Sequence, residues 1–210
     1  MGKRIIVILV LMLSIIMFAV QAQAVIVDMG NNTRDTSTAL DWLDFSNTLN
    51  RSYDDVSSQF GIGGDFEGYR YGTSAEVTQL WTNFGITDIG VTPSIANFTP
   101  VTQFHTLFGS TGTSGGYPKS QGMVIELYGG NRATAGTGFT TNFPGSNDEL
   151  GGWAEVPNSS QEDATPSLWG ASYLVTAVPE PSTYALFGIG LIGLIGAGLR
   201  RAKEKRDVNG

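Results

Sequence analysis

A single histidine, His105, and the absence of cysteine limit the nucleophilic and metal chemistry open to this 210-residue chain. Any serine–histidine relay or histidine-based metal site has to use His105. It lies in Val101-Thr102-Gln103-Phe104-His105-Thr106-Leu107-Phe108, which reads as a strand with His105 on its polar side. Gly112-Thr113-Ser114-Gly115-Gly116 matches G-x-S-x-G. A nucleophile elbow needs a strand before the serine and a helix after it. Tyr117-Pro118-Lys119 follows with no helical pattern, so the segment reads as a flexible loop. Carboxylates are plentiful, in the pairs Asp41/Asp44, Asp54/Asp55, Asp65/Glu67, Asp148/Glu149 and Glu162/Asp163. Two facing carboxylates could serve glycoside hydrolysis, and calcium takes its oxygens from flexible loops. Gly61 to Glu67, or Asn147-Asp148-Glu149, could supply some of those oxygens, but neither has EF-hand spacing. These pairs read as solvated loop acids. Gly188 to Gly193 matches G-x-G-x-x-G inside an apolar run with no strand before it, a chance match. The sequence therefore assigns no catalytic, cofactor-binding or metal-ligating residue, and no cofactor.

The elements that would position such groups are a mixture of strands and two early helices. Val25 to Asp28 reads as a first strand and Asn31 to Thr38 as a polar turn region. Leu40 to Phe45 reads as a strand with Leu40, Trp42 and Leu43 or Phe45 at the core. Ser52 is an N-cap for a short helix through Phe60, with Asp54 and Asp55 at the positive end of its dipole. Glu67 to Tyr71 reads as a strand. Thr73 and Glu76 form a capping box ahead of the stripe Val77, Leu80, Trp81 and Phe84, and Gly85 stops that helix. From Ile86 to Val175 the pattern is strand and loop, with Met123 to Tyr128 and Ser172 to Val175 the best strands. The Gly/Thr-rich stretches from Gly109 to Gly116 and from Gly129 to Gly152 read as long irregular loops or turns. The expected fold is a small α+β domain with an antiparallel sheet.

Both ends carry export features. Lys3 and Arg4 precede an apolar run from Ile5 to Val20, and Ala22-Gln23-Ala24 supplies small residues at −3 and −1. This pattern predicts a signal peptide over residues 1–24, recognised by the export machinery and cleaved after Ala24. At the other end, Val178-Pro179-Glu180-Pro181 cannot lie inside a regular element, because two prolines remove two N–H donors. Residues 184–199 follow without a charge, and then Arg200, Arg201, Lys203, Lys205 and Arg206. Sixteen helical residues span about 24 Å, a short membrane helix whose flanking Ser182, Thr183 and Arg200 make up the remaining thickness. The basic end, with Arg200 and Arg201 as the membrane stop, stays cytoplasmic.

In its order of V-P-E-P-S-T, glycine-rich apolar run and R-R, the segment 178–206 resembles the PEP-CTERM sorting signal of Gram-negative bacteria. The resemblance implies an exosortase-type processing enzyme that recognises the Pro-Glu-Pro region. It also implies a destination in the cell envelope or extracellular matrix of an exopolysaccharide-producing cell. A second resemblance covers Trp42-Leu43-Asp44, Ser52-Tyr53, Gly68-Tyr69-Arg70-Tyr71 and Thr73-x-x-Glu76-Val77. It is similar to the core of many PEP-CTERM-bearing proteins of unassigned function, with Tyr69 standing where that pattern has tryptophan. The same stretch is loosely similar to formylglycine-type and C-type-lectin-like modules, whose cysteines and Leu-Pro are absent here, and no site residue carries over.

Between the two ends, residues 25–177 make one exported acidic domain. It has five basic residues, Arg34, Arg51, Arg70, Lys119 and Arg132, against sixteen acids, a formal charge of −11. That balance argues against nucleic acid and other polyanions, which need clustered Lys and Arg. Calcium and neutral glycans such as exopolysaccharide are easier partners. Without cysteine the domain relies on its core rather than on disulfides. The expected protein is therefore exported, anchored and sorted, with a non-catalytic interaction module outside the membrane. The alternative is an exported carboxylate-dependent polysaccharide hydrolase.

Overall fold

The capping box read around Thr73 forms. Thr73 Oγ1 accepts from the Glu76 amide at 3.1 Å while Glu76 accepts from the Thr73 amide at 2.9 Å. The helix runs over Ser74–Phe84 and stops at Gly85, whose φ of 92° is the left-handed conformation glycine adopts without strain. Its stripe of Val77, Leu80 and Trp81 is fully buried, each side chain contributing on the order of 1.5–3 kcal/mol on transfer from water. The computed structural model describes residues 25–141, 150–166 and 170–178. The predicted signal peptide over residues 1–24 and the predicted membrane helix over residues 184–199 lie outside them. No helix among the described residues is long and apolar enough to cross a membrane.

Three helices and eleven strands make up the described domain: β1 (Ile26–Asp28), β2 (Asn32–Asp35), β3 (Leu40–Leu43), α1 (Tyr53–Ser57), β4 (Arg70–Tyr71), α2 (Ser74–Phe84), β5 (Gly90–Ser94), α3 (Ile95–Phe108), β6 (Gly112–Ser114), β7 (Tyr117–Tyr128), β8 (Asn131–Thr140), β9 (Gly151–Gln161), β10 (Ala171–Ser172) and β11 (Leu174–Ala177). A first sheet has the order β1-β2-β3-β11-β4 and a second the order β10-β7-β8-β9-β5, with β6 beside the start of β7. The α+β class read from the sequence holds. The pairs β1–β2, β2–β3, β11–β4, β5–β9, β6–β7, β7–β8 and β8–β9 are antiparallel, whereas β10 runs parallel to β7 and brings Ala171 opposite Gly122. The core lies between α2, α3 and the inner sheet faces, where Tyr173 meets Phe45 edge-on at 4.9 Å and Trp42 at 6.2 Å. A smaller cluster of Leu43, Val56, Phe66, Tyr71, Met123 and Leu174 packs near α1. Ser52 caps α1 as expected, accepting from the Asp55 amide, although the helix ends at Ser57 rather than Phe60.

Several expectations are corrected. Asn32–Asp35, read as turn, is a strand paired on both sides, with Thr33 and Asp35 buried and each hydrogen-bonded through its side chain. Only Arg70 and Tyr71 of the expected strand 67–71 pair. Residues 101–108, read as a strand, belong to helix α3. Pro100 inside that helix and its scattered Thr99, Thr102 and Thr106 mask a helical stripe of Asn97, Val101, Phe104, His105 and Phe108, all buried.

The Gly/Thr-rich stretches are mainly strands. Gly115-Gly116 and Gly129-Gly130, all with positive φ, are the two-residue turns of the β6–β7 and β7–β8 hairpins. The small residues of β8 and β9 have a steric cause. Ala133, Ala135 and Ala154 are buried in the core with the α3 residues. A Cβ on Gly152 would stand 2.6 Å from the Asn97 carbonyl oxygen in the first turn of α3. The single expected last strand splits at Tyr173, with β10 in one sheet and β11 in the other.

Candidate functional site

The described part of the sorting segment is its junction with the domain. The chain from Gly170 to Ala177 is threaded through the fold before it leaves. The Asn50 amide donates to the Gly170 carbonyl at 3.4 Å and the Ser172 amide to Thr48 Oγ1 at 2.9 Å. The Tyr173 amide donates to the Met123 carbonyl at 3.0 Å, and its own carbonyl accepts from Gly72 at 2.8 Å. Strand β11 then sits between β3 and β4, pairing Leu174 with Tyr71 and Val175 with Arg70. Tyr173, Leu174 and Val175 are fully buried, Thr176 half-buried, Ala177 exposed and Val178 half-buried. The chain thus passes from an interior strand into the proline motif with no spacer. Pro179, Glu180, Pro181, Arg200 and Arg201 lie outside the described residues, as do Ala22 and Ala24.

Inside the domain, the residues singled out for chemistry are drawn into structure. His105 is buried on α3, not exposed on a strand; its Nε2 lies 3.1 Å from Thr137 Oγ1 and its ring meets Phe139 edge-on at 5.1 Å. Burial pushes it down to about 4, opposed by the hydrogen bond that the ring makes to the Thr137 backbone. Among the described residues no carboxylate contributes to its titration, so no relay partner stands beside it there. Ser114 pairs with Tyr117 across a tight hairpin turn, and a strand rather than a helix follows. G-x-S-x-G is therefore not an elbow here. Asn97 is buried and holds the Thr87 and Asp88 amides and the Asp88 carbonyl.

The acid pairs separate. The Asp41 carboxylate is bound by Arg34 Nε and Nη2 at 2.7 and 2.8 Å, whereas the Asp44 carboxylate accepts from Thr33 Oγ1 at 3.3 Å. Burial raises the Asp44 carboxyl to about 6; the Thr33 hydrogen bond opposes the rise and Asp28 adds to it. Arg51 bridges Asp55 and Asp65 at 2.6 and 3.0 Å, Glu67 accepts from the Gly63 amide, and Arg132 holds Asp163 at 3.2 Å. Arg70 binds Glu76 at 2.6 Å and is the main reason its carboxyl is held down at about 2. Every arginine of the domain is thus paired with a carboxylate. Among the described residues no three acid or histidine side chains gather as a metal site. Residues 147–149 lie outside that set.

Trp42, Ser52, Arg70, Thr73 and Glu76, which carried the second resemblance, serve packing, capping and an ion pair. An open cleft of about 470 Å³ lined by Ile26, Asn83, Phe84, Gln103, Thr106 and Leu107 holds no titratable side chain, and its Asn83 amide is committed to Asp35 and Ser37.

Sequence reasoning missed the outer face of the second sheet. Lys119 opposes Gly138 and Gln121 opposes Gly136 across β7–β8, while Trp153 opposes Gly138 and Glu155 opposes Gly136 across β8–β9. Directly opposed residues share a face, so these side chains gather on the side away from Thr137 and α3. The ring of Trp153 occupies the space of a Cβ on Gly138, which would come within 2.2 Å of it, and Tyr117 meets that ring edge-on at 6.5 Å. The signal was present as the alternation Tyr117, Lys119, Gln121, but a glycine-rich partner strand hid it.

Together these features define a chain with an acidic folded domain whose final strand runs directly into a Pro-Glu-Pro segment. A family model described as the PEP-CTERM protein-sorting motif matches residues 177–202. The chain carries that sorting motif, which implies export and exosortase-dependent, membrane-associated sorting to the envelope. No curated protein and no solved structure matches the chain.

Proposed function

We propose that the protein is an exported envelope or matrix component delivered as a membrane-anchored precursor. Signal cleavage after Ala24 frees the amino terminus. The helix 184–199, with Arg200 and Arg201 on the cytoplasmic side, holds the precursor until an exosortase-type enzyme acts near Val178-Pro179-Glu180-Pro181. The product is the acidic domain, a non-catalytic interaction module. The observation that carries this reading is the sorting motif over residues 177–202. The junction supports it: residues 171–175 are core, so a cut at or beyond Val178 leaves every strand in place. Among the described residues, the arginines are held in ion pairs and His105 packs against Thr137 and Phe139, an arrangement that suits a folded interaction module.

The hydrolase alternative would use Asp44 as its acid. Its neighbour Asp41 is tied to Arg34 in a bidentate pair that occupies both of its oxygens. A bell-shaped pH–rate profile on a polysaccharide panel would support it. The sorting reading is tested by replacing Pro179, Glu180 and Pro181 together with Ala. The variant precursor is expected to stay membrane-bound with its tail intact. Tail removal equal to that of the natural chain overturns the assignment.

A further inference from the structure

We infer that the outer face of the second sheet, around Trp153 and Tyr117, binds a neutral polysaccharide. The inference rests on the reading of the domain as an exported interaction module and names what that module takes.

The face is built for flat contact. Glycines at 136 and 138 remove the side chains that would otherwise stand up from the centre of β8. Trp153 therefore lies down on Gly138, and Asn158 with the Lys119 stem lies over Gly136, where a Cβ would come 2.9 Å from Asn158 Nδ2. Trp153 and Tyr117 nevertheless remain partly open to solvent, unlike Trp42 and Trp81, which are fully buried. The helix α3 packs against the other side of β8 and β9, where His105 reaches Thr137.

The chemistry beside the rings is polar and balanced in charge. Gln121 Nε2 donates to Thr134 Oγ1 and Ser159 Oγ, both at 2.8 Å, which fixes the amide and leaves its Oε1 as an acceptor. Asn158 Oδ1 accepts from Lys119 Nζ at 3.2 Å, which keeps the Nδ2 hydrogens as donors. The one cation, Lys119, has Glu155 as its nearby counter-charge.

A pyranose presents both halves of this arrangement. Its axial C–H groups carry partial positive charge and favour the negative face of an aromatic ring, and its hydroxyls both donate and accept toward fixed amides. An anionic polymer is disfavoured: Lys119 is committed, each arginine of the described domain is ion-paired, and the domain carries a formal charge of −11. A protein partner would need a larger apolar centre than two rings among glycines, amides and hydroxyls.

The test is native affinity electrophoresis of the full chain in detergent micelles. The gels contain hydroxyethylcellulose, a galactomannan, or alginate as the anionic comparison. The expected result is retardation by at least one neutral polymer and none by alginate. At least a tenfold loss of retardation is expected in Trp153→Ala, and a partial loss in Tyr117→Ala. Urea midpoints accompany each variant, and Tyr117→Ala, which leaves the Trp153–Gly138 contact in place, serves if Trp153→Ala does not fold. Failure of both neutral polymers to retard the natural chain overturns the inference, as does retardation unchanged in the folded variants or stronger on alginate. Tail processing is read separately, so loss of sugar binding with normal tail removal rejects this inference and leaves the sorting reading in place.

Discussion

Acidification should weaken the domain through His105, and the size of the effect follows from where the imidazole sits. The ring is 8% exposed, its Nε2 is against Thr137, and its Nδ1 is buried without a hydrogen-bond partner. A proton added there would place a cation between Phe104 and Phe139 with no carboxylate to balance it. Burial therefore depresses the folded-state value to about 4 from an ordinary 6.5. With a depressed folded value, His105 contributes its stability above pH 6.5. That contribution is lost as the pH falls toward 4, because the unfolded chain takes up a proton that the folded chain refuses. At about 1.4 kcal/mol per pH unit the loss amounts to about 3 kcal/mol. His105→Gln removes the titration while keeping a polar group able to reach Thr137. Urea unfolding followed by tryptophan fluorescence at pH 7.5, 5.5 and 4 gives both stability curves. Whatever Gln costs at pH 7.5, the difference between the two proteins should move by about 3 kcal/mol in favour of the variant by pH 4. Parallel curves across that range would refute the buried-histidine argument.

Asp44 works in the opposite direction, because its carboxyl is raised to about 6 in the folded state and the unfolded chain ionises first. Stability is lost from this group as the pH rises from about 4 to 6. Asp44→Asn should therefore raise the urea midpoint at pH 7.5 and leave it near the natural value at pH 4, and a lower midpoint at pH 7.5 would contradict the burial argument. Gly152→Ala places a Cβ 2.6 Å from the Asn97 carbonyl oxygen, a backbone atom that cannot turn aside, so it should cost about 1–3 kcal/mol. Gly90→Ala, where a Cβ meets nothing within 4 Å, is the matched control on β5 and should change stability by less than about 0.5 kcal/mol.

Local signals with their own chemistry are legible in the sequence. The Thr73–Glu76 box, the stripe of Val77, Leu80 and Trp81, the Gly85 stop and the Ser52 cap all form where the sequence places them. Each is decided within one or two helical turns. Helix α3 was not legible, because Pro100 and several threonines depress its propensity while its burial against β8 and β9 supplies the compensation. The glycines of β8 and β9 read as loop because the reason for them lies on other elements: Trp153 over Gly138, and the Asn97 backbone over Gly152. A sequence shows that a side chain is missing but not what fills its place. The sorting motif was legible in the sequence, since its order of Pro-Glu-Pro segment, apolar run and basic end is itself the pattern matched over residues 177–202. The aromatic face of the second sheet required the register of three strands and could not be read from any one of them.

The most direct test of the account is the intact mass of the natural protein recovered from membrane and extracellular fractions. The account predicts an extracellular or envelope species that begins at Val25 and ends at or just beyond Val178, with the whole of β11 retained. A single species that begins at Val25 and ends at Gly210, confined to the membrane, would contradict it and make the tail an ordinary tether.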